Sequence, residues 1–81
     1  MKKFYLVNVV KVGGYIEHPD VGHKNYKNAG YNVDMTNCIW VADEAIDMAV
    51  GGVTEITQAE ADEYLSTWKS EREALKDDTT N

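Results

Sequence analysis

The chain has 81 residues, 43% of them hydrophobic and 27% charged, which is the composition of a folded domain and not of a disordered segment. A chain of this length forms one domain and buries only about 60–65% of the surface that it exposes when unfolded, so a deep catalytic cleft is hard to build. Its net charge of −6 is divided into +3 over residues 1–32 and −9 over residues 33–81, and the acidic half disfavours direct binding of nucleic acid.

The chain shows no sign of export. Cys38 is its only cysteine, so it has no internal disulfide, whereas small secreted domains usually carry several. Lys2 and Lys3 precede an apolar run, but Asn8 and Lys11 interrupt the run and no small-residue cleavage site follows. No stretch approaches the roughly 18 apolar residues of a membrane helix. We therefore expect a reducing compartment or a larger particle, and no signal peptide.

The first 18 residues predict a β-hairpin. Residues 4–12 are rich in β-branched and aromatic side chains and predict one strand that is apolar on both faces, as in a central strand. Gly13 and Gly14 predict a tight turn, and residues 15–18 predict the returning strand. One face of the long strand would hold Phe4, Leu6, Val10 and Val12, and the other Tyr5, Val7 and Val9.

The middle of the chain predicts a loop, a strand and a short helix. Residues 19–37 are rich in glycine and asparagine and predict a long irregular loop, which in a compact domain is often functional or mobile. Residues 38–42 predict a strand. Asp43 is a candidate N-cap for a helix of about two turns over residues 44–50, which Gly51 would end in the left-handed conformation. Residues 53–56 predict a short strand or an extended connection.

A capping box opens the last element. Thr57 and Glu60 have the spacing at which each side chain satisfies the other's backbone N–H, and Ile56 and Ala61 are placed for a hydrophobic staple. The helix is predicted to run to about Leu75. Its apolar stripe consists of Ala61, Tyr64, Leu65, Trp68 and Leu75.

These elements predict an α+β fold: a small antiparallel or mixed β-sheet with a short helix and a long C-terminal amphipathic helix packed on one face. Residues 1–76 would form a single domain, and residues 77–81 a polar tail.

The residues that carry chemistry do not form a recognisable site. His18, His23 and Cys38 have spacings of five and fifteen and lack a fourth ligand, which is a poor zinc pattern. Cys38 with a histidine could act as a nucleophile and base, but a thiol at the start of an apolar strand is more often buried and inert.

Three carboxylates, at Asp43, Glu44 and Asp47, could be read as an acid–base pair or a cation site. Favourable charge at a helix N-terminus explains them better. The two glycine pairs lack the lysine and hydroxyl of a phosphate-binding loop. We therefore predict a protein that is not an enzyme, with no catalytic residue, metal or cofactor.

The aromatic residues are the best candidates for binding, because the chain holds five tyrosines and two tryptophans. Most of them are expected in the core, but those near the predicted loop could anchor an interface with a partner protein. The candidate partner contacts are Tyr15, Tyr26, Tyr31 and Trp40. A second hypothesis rests on residues 55–78, which contain eight carboxylates and only three basic residues. This acidic segment could mimic a nucleic acid and so inhibit a host protein.

A β-rich start over residues 1–12 followed by a late helix that a capping box opens at residues 56–61 resembles small proteins encoded by tailed bacteriophages. The resemblance implies a structural or interaction protein, a minor component of the virion that contacts other protein subunits, located in the virion or the host cytoplasm. It transfers no functional residue. The alternative under the same resemblance is a phage-encoded inhibitor of a host protein.

Overall fold

The computed structural model describes residues 2–22, 25–47 and 49–80, with the side chains of the final helix described as far as Leu75. It confirms an α+β domain. A four-stranded sheet has the order β4-β5-β1-β6, a separate ribbon consists of β2 and β3, and every described strand pair is antiparallel. The elements are β1 (Lys3–Asn8), β2 (Val10–Val12), β3 (Tyr15–Glu17), β4 (Tyr26–Tyr31), β5 (Asn37–Ala42), β6 (Val53–Ile56) and α1 (Gln58–Thr80).

Strand β1 is central and covered on both faces, as its sequence predicts. Tyr5 and Val7 are fully buried on one face, while Phe4 and Leu6 pack on the other face against the cluster beneath α1. The first face is covered by the segments around Val21 and Ile46, and the second by the helix. The sheet is therefore the middle layer of the domain.

The predicted single strand over residues 4–12 is wrong, because it divides at Val9. The Asn8 N–H donates to Gly52 O at 2.7 Å and the Val9 N–H donates to Thr36 O at 3.0 Å, which are the last contacts on either side of β1. Beyond these contacts no described strand of the main sheet pairs with the chain. The chain continues as β2, which pairs with β3 alone.

The predicted turn of this hairpin is confirmed. Gly13 and Gly14 both have positive φ, 56° and 87°, as a type I′ turn requires of its two central residues.

The predicted irregular loop over residues 19–37 is also wrong in part, because β4 lies within it and pairs with β5. Asparagine and glycine disfavour strands, but here they form one because β4 pairs with β5. The register of the pairing shifts between Asn28 and Gly30. Gly30 lies beneath α1, where an added Cβ would come within 2.9 Å of Leu65 Cδ2. The glycine therefore allows the helix to pack closely on this strand.

The short helix predicted over residues 44–50 is absent from the described residues of that segment, so Asp43 caps no helix. The Ile46 N–H donates to the Tyr5 hydroxyl at 3.0 Å, and the Asp47 side chain accepts from the Ala49 N–H at 2.9 Å. Such local bonds compete with helical ones. The positive φ of the following glycine pair belongs to Gly52 (86°).

The capping box is confirmed. The Thr57 N–H donates to Glu60 Oε1 at 3.0 Å, and the Glu60 N–H donates to Thr57 Oγ1 at 3.1 Å. Helix α1 extends to Thr80 and so takes in most of the predicted polar tail, while Asn81 lies outside the described residues. The domain limit at residue 76 stays a prediction.

Three members of the predicted helix stripe pack towards the sheet. Ala61 and Trp68 are buried and Leu65 packs beside them. Tyr64 and Leu75 are 38% and 50% exposed, so these two do not belong to the core.

We expect Gly30→Val to lower the free energy of unfolding by about 1–3 kcal/mol, because the new side chain would overlap Leu65. Urea denaturation measures the change. Gly51→Val is the matched control, since a Cβ added there would meet open space and the φ of Gly51 is not positive. Leu65→Ala should recover part of the loss in the double variant. If the two substitutions lower the free energy of unfolding additively in the double variant, the overlap between the new side chain and Leu65 is contradicted.

We expect Met35→Gly to raise the free energy of unfolding by about 0.5–1 kcal/mol, because Met35 has a φ of 56° in the β4–β5 turn. The Asn32 side chain fixes this turn by accepting from the N–H groups of Thr36 and Asn37 at 2.8 and 2.9 Å. Met35→Ala retains the strain and should bring no gain. Equal stability of the two variants in thermal unfolding would show that the strain is relieved in another way.

Candidate functional site

The ribbon over residues 10–17, here named the arm, has one apolar face. Its register sets Val10 opposite Glu17 and Val12 opposite Tyr15, so these four side chains share one face, the arm face. Val10, Val12 and Tyr15 are 58%, 52% and 78% exposed. Ile16, on the opposite face, packs on the core.

An arm of this kind needs support. A two-stranded hairpin is at best marginally stable in water, and apolar side chains gathered on one surface are typical of a protein contact. Of the large hydrophobic side chains that are exposed in the described part of the chain, half lie on the arm face, and the others are Met35, Tyr64 and Leu75. The arm face is therefore the best candidate for a binding surface.

His18 follows β3 directly and fixes the base of the arm. Its Nε2 lies 2.9 Å from the Tyr31 hydroxyl, which also accepts from Asn28 Nδ2 at 3.3 Å. Burial raises the pKa of Tyr31, with the nearby Cys38 and Tyr26 adding to the effect, so its hydroxyl keeps its proton near neutral pH. The other ring nitrogen of His18, Nδ1, lies 4.0 Å from Cys38 Sγ.

Aromatic stacking extends this contact into a cluster of five side chains at the base of the arm, here named the anchor. The Trp40 ring is fully buried and stacks with Tyr26 at 4.1 Å and with His18 at 5.9 Å between centroids. The indole N–H of Trp40 has no hydrogen-bond partner among the described residues. The cluster of Tyr26, Tyr31, Trp40, His18 and Cys38 thus holds the arm to the sheet.

The four predicted partner contacts have different positions. Tyr15 is exposed on the arm face, Tyr26 and Tyr31 are half-buried in the anchor, and Trp40 has no exposed surface. The predicted contact at Trp40 is wrong, because its side chain packs with Cys38 and Ala42 in the core cluster. The three tyrosines stay predictions.

Sequence reasoning missed Val10 and Val12 as surface residues, because it assigned them to a covered central strand. The signal that could have located them was Asn8, a polar residue in the middle of the apolar run. It stands where the pairing of β1 ends on both sides.

The anchor cluster lacks an activated nucleophile. Burial raises the pKa of the Cys38 thiol from 9.0 to about 11, while the Trp40 indole acts in the opposite direction without reaching hydrogen-bond geometry. The thiol is therefore protonated near neutral pH and poorly reactive. Asp43, Glu44 and Asp47 are exposed.

No group of three or more metal-ligating side chains occurs among the residues whose placement is described. His23, the third member of the weighed metal set, lies outside those residues. The metal hypothesis thus gains no support from His18 and Cys38.

Comparison with known proteins adds no relative: no family model, curated protein or solved structure matches the chain. Within the described residues, no helix combines the length and the apolar character needed to cross a membrane.

We expect the free energy of unfolding to fall as pH rises from 9 to 11, by up to about 2–3 kcal/mol, through Cys38. The unfolded thiol loses its proton near pH 9, whereas the folded thiol keeps its proton until about 11, so stability is complete below pH 9 and declines above it. Cys38→Ala, which keeps every tyrosine, should show a smaller decline in urea titrations. If the free energy of unfolding declines equally in the original chain and in Cys38→Ala, titratable groups other than Cys38 cause the effect.

Proposed function

We propose that this protein is a non-enzymatic interaction protein that binds a partner protein through the arm face. The observation that carries the proposal is the exposure of Val10, Val12 and Tyr15 together on one face of a ribbon that the main sheet does not cover. Burial of such side chains is the main favourable term in protein association.

The anchor gives the arm a fixed direction before binding. His18 holds the end of β3 through the Tyr31 hydroxyl and the Trp40 ring. A surface that is already ordered loses less conformational entropy when a partner binds. The outer edges of β2 and β3 pair with no described strand, so a partner strand could also extend the ribbon by main-chain hydrogen bonds.

The resemblance to small phage proteins suggests the setting of this contact. Under the proposal the partner is another protein subunit, in a homo- or hetero-oligomeric assembly, and the assembly is a phage particle of which this chain is a minor component. The protein would then be found in the virion or the host cytoplasm, and would need no cofactor or nucleic acid.

A second candidate function is inhibition of a host protein through an acidic surface. Five carboxylates on α1 are exposed, and among the described side chains the only ion pair is Lys3 with Glu55, outside the helix. Together these side chains could oppose a basic groove that normally binds nucleic acid. The five are Glu60, Asp62, Glu63, Glu71 and Glu73.

Site-specific photo-crosslinking tests the proposal in the cells that make the protein naturally. With p-benzoylphenylalanine in place of Val12, we expect an adduct of defined mass, because this side chain would be buried in the interface. The same probe at Thr54, an exposed position on β6, is the matched control and should give none. A second substitution, Tyr15→Ser, should lower the yield at position 12 severalfold.

The position of the adduct separates the two functions. Adducts from position 12 support binding by the arm, and an adduct of twice the chain mass identifies the partner as a second copy. Adducts only from Asp62, an exposed acidic position on α1, would favour the inhibitor. No adduct from position 12 would overturn the proposal.

A further inference from the structure

A cavity of about 350 Å³ lies at the base of the arm face. Val10 and Glu17, the pair nearest the sheet, form its arm side, and Pro19, Val50 and the Gly51–Gly52 turn form the opposite side. A segment lying on the arm face would therefore meet this cavity next to Val10.

Glu17 is the one acidic or permanently charged side chain among the residues that line the cavity. No cation lies within 4.0 Å of its carboxylate in the described part of the chain, where Lys3–Glu55 is the only ion pair. Lys11 belongs to the opposite face of the arm. His18 also lines the cavity, but its two ring nitrogens are directed at Tyr31 and Cys38.

The opposite wall leaves room at Gly51 but not at Gly52. A Cβ added at Gly52, which has a φ of 86°, would contact Asn8 O at 3.4 Å and Pro19 Cγ at 3.7 Å. Gly51 has open space where a side chain would be. Val10, Pro19 and Val50 thus supply apolar walls beside the polar side chains of Asn8 and His18, and Glu17 supplies a single negative charge. This combination suits a cation on an aliphatic stem.

We propose that this cavity receives a cationic side chain, a lysine or an arginine, that the partner protein presents next to the apolar residues covering the arm face. The inference rests on the proposed function, since it names the chemistry of the partner at the same surface. The stem would pack on Val10 and Val50, and the charged group would bind the Glu17 carboxylate. Charge complementarity selects this occupant over an anionic or neutral one.

Three small probes with the same hexyl chain isolate the charge: n-hexylguanidinium, n-hexylurea and heptanoate. Each is titrated into the purified ¹⁵N-labelled chain, and the amide shifts of Val10, Glu17, Gly51 and Gly52 are followed. We expect hexylguanidinium to shift these amides with a Kd of millimolar order, at least about fivefold below that of the other two. Added salt should weaken its binding.

Glu17→Gln should bring hexylguanidinium to the affinity of hexylurea, and Glu73→Gln, an exposed carboxylate on α1, should leave it unchanged. Equal affinities of the three probes, shifts concentrated around Glu60 and Glu63, or no shift of the four amides at about 50 mM probe would each overturn the inference. These titrations use the isolated chain, so they can fail while adducts still form at position 12. Loss of the adducts would instead overturn the proposed function.

Discussion

The pairing of β1 on both sides, and its end at Asn8, organises the rest of the structure. β5 and β6 flank this strand, and both contacts cease where Asn8 and Val9 donate to Gly52 and Thr36. A strand that continues past its neighbours must turn back on itself or leave its backbone unpaired, and this chain turns at the Gly13–Gly14 pair. The arm is thus a direct consequence of the unequal lengths of neighbouring strands.

The two sides of the sheet are closed by different means. On one side the helix supplies Ala61, Leu65 and Trp68, and Gly30 allows it to approach β4. On the other side no helix occurs among the described residues, and short irregular segments place Val21 and Ile46 on the core. Irregular segments carry backbone groups that need partners, and the Tyr5 hydroxyl serves one of them by accepting from the Ile46 N–H. The Tyr31 hydroxyl instead binds the side chain of His18 at the base of the arm.

Features fixed by a few adjacent residues could be read from the sequence. The Thr57–Glu60 capping box and the Gly13–Gly14 turn depend on local geometry, and both were predicted correctly. β4 was missed because its pairing with β5 overrides the turn preference of asparagine and glycine. The short helix was predicted from local signals that the long-range bond between Tyr5 and Ile46 overrides.

The candidate site was predictable to the same limited degree. Tyr15 could be selected as an aromatic residue beside a turn, but the exposure of Val10 and Val12 depends on where β5 and β6 end. Strand ends of this kind are set by distant segments of the chain, and a single sequence does not display them. Trp40 was misplaced for a related reason, because the cluster that covers it comes from β4 and from the segment after β3.

The size of the arm face limits what it can achieve alone. Full burial of a large apolar side chain contributes about 1.5–3 kcal/mol. Val10 and Val12 are already about half-buried and Tyr15 about a fifth, so the face offers roughly 4 kcal/mol on binding. Loss of translational and rotational freedom costs at least about this much. A stable complex therefore needs further contacts next to the arm, and the Glu17 carboxylate and the unpaired edges of the ribbon are the nearest groups that can provide them.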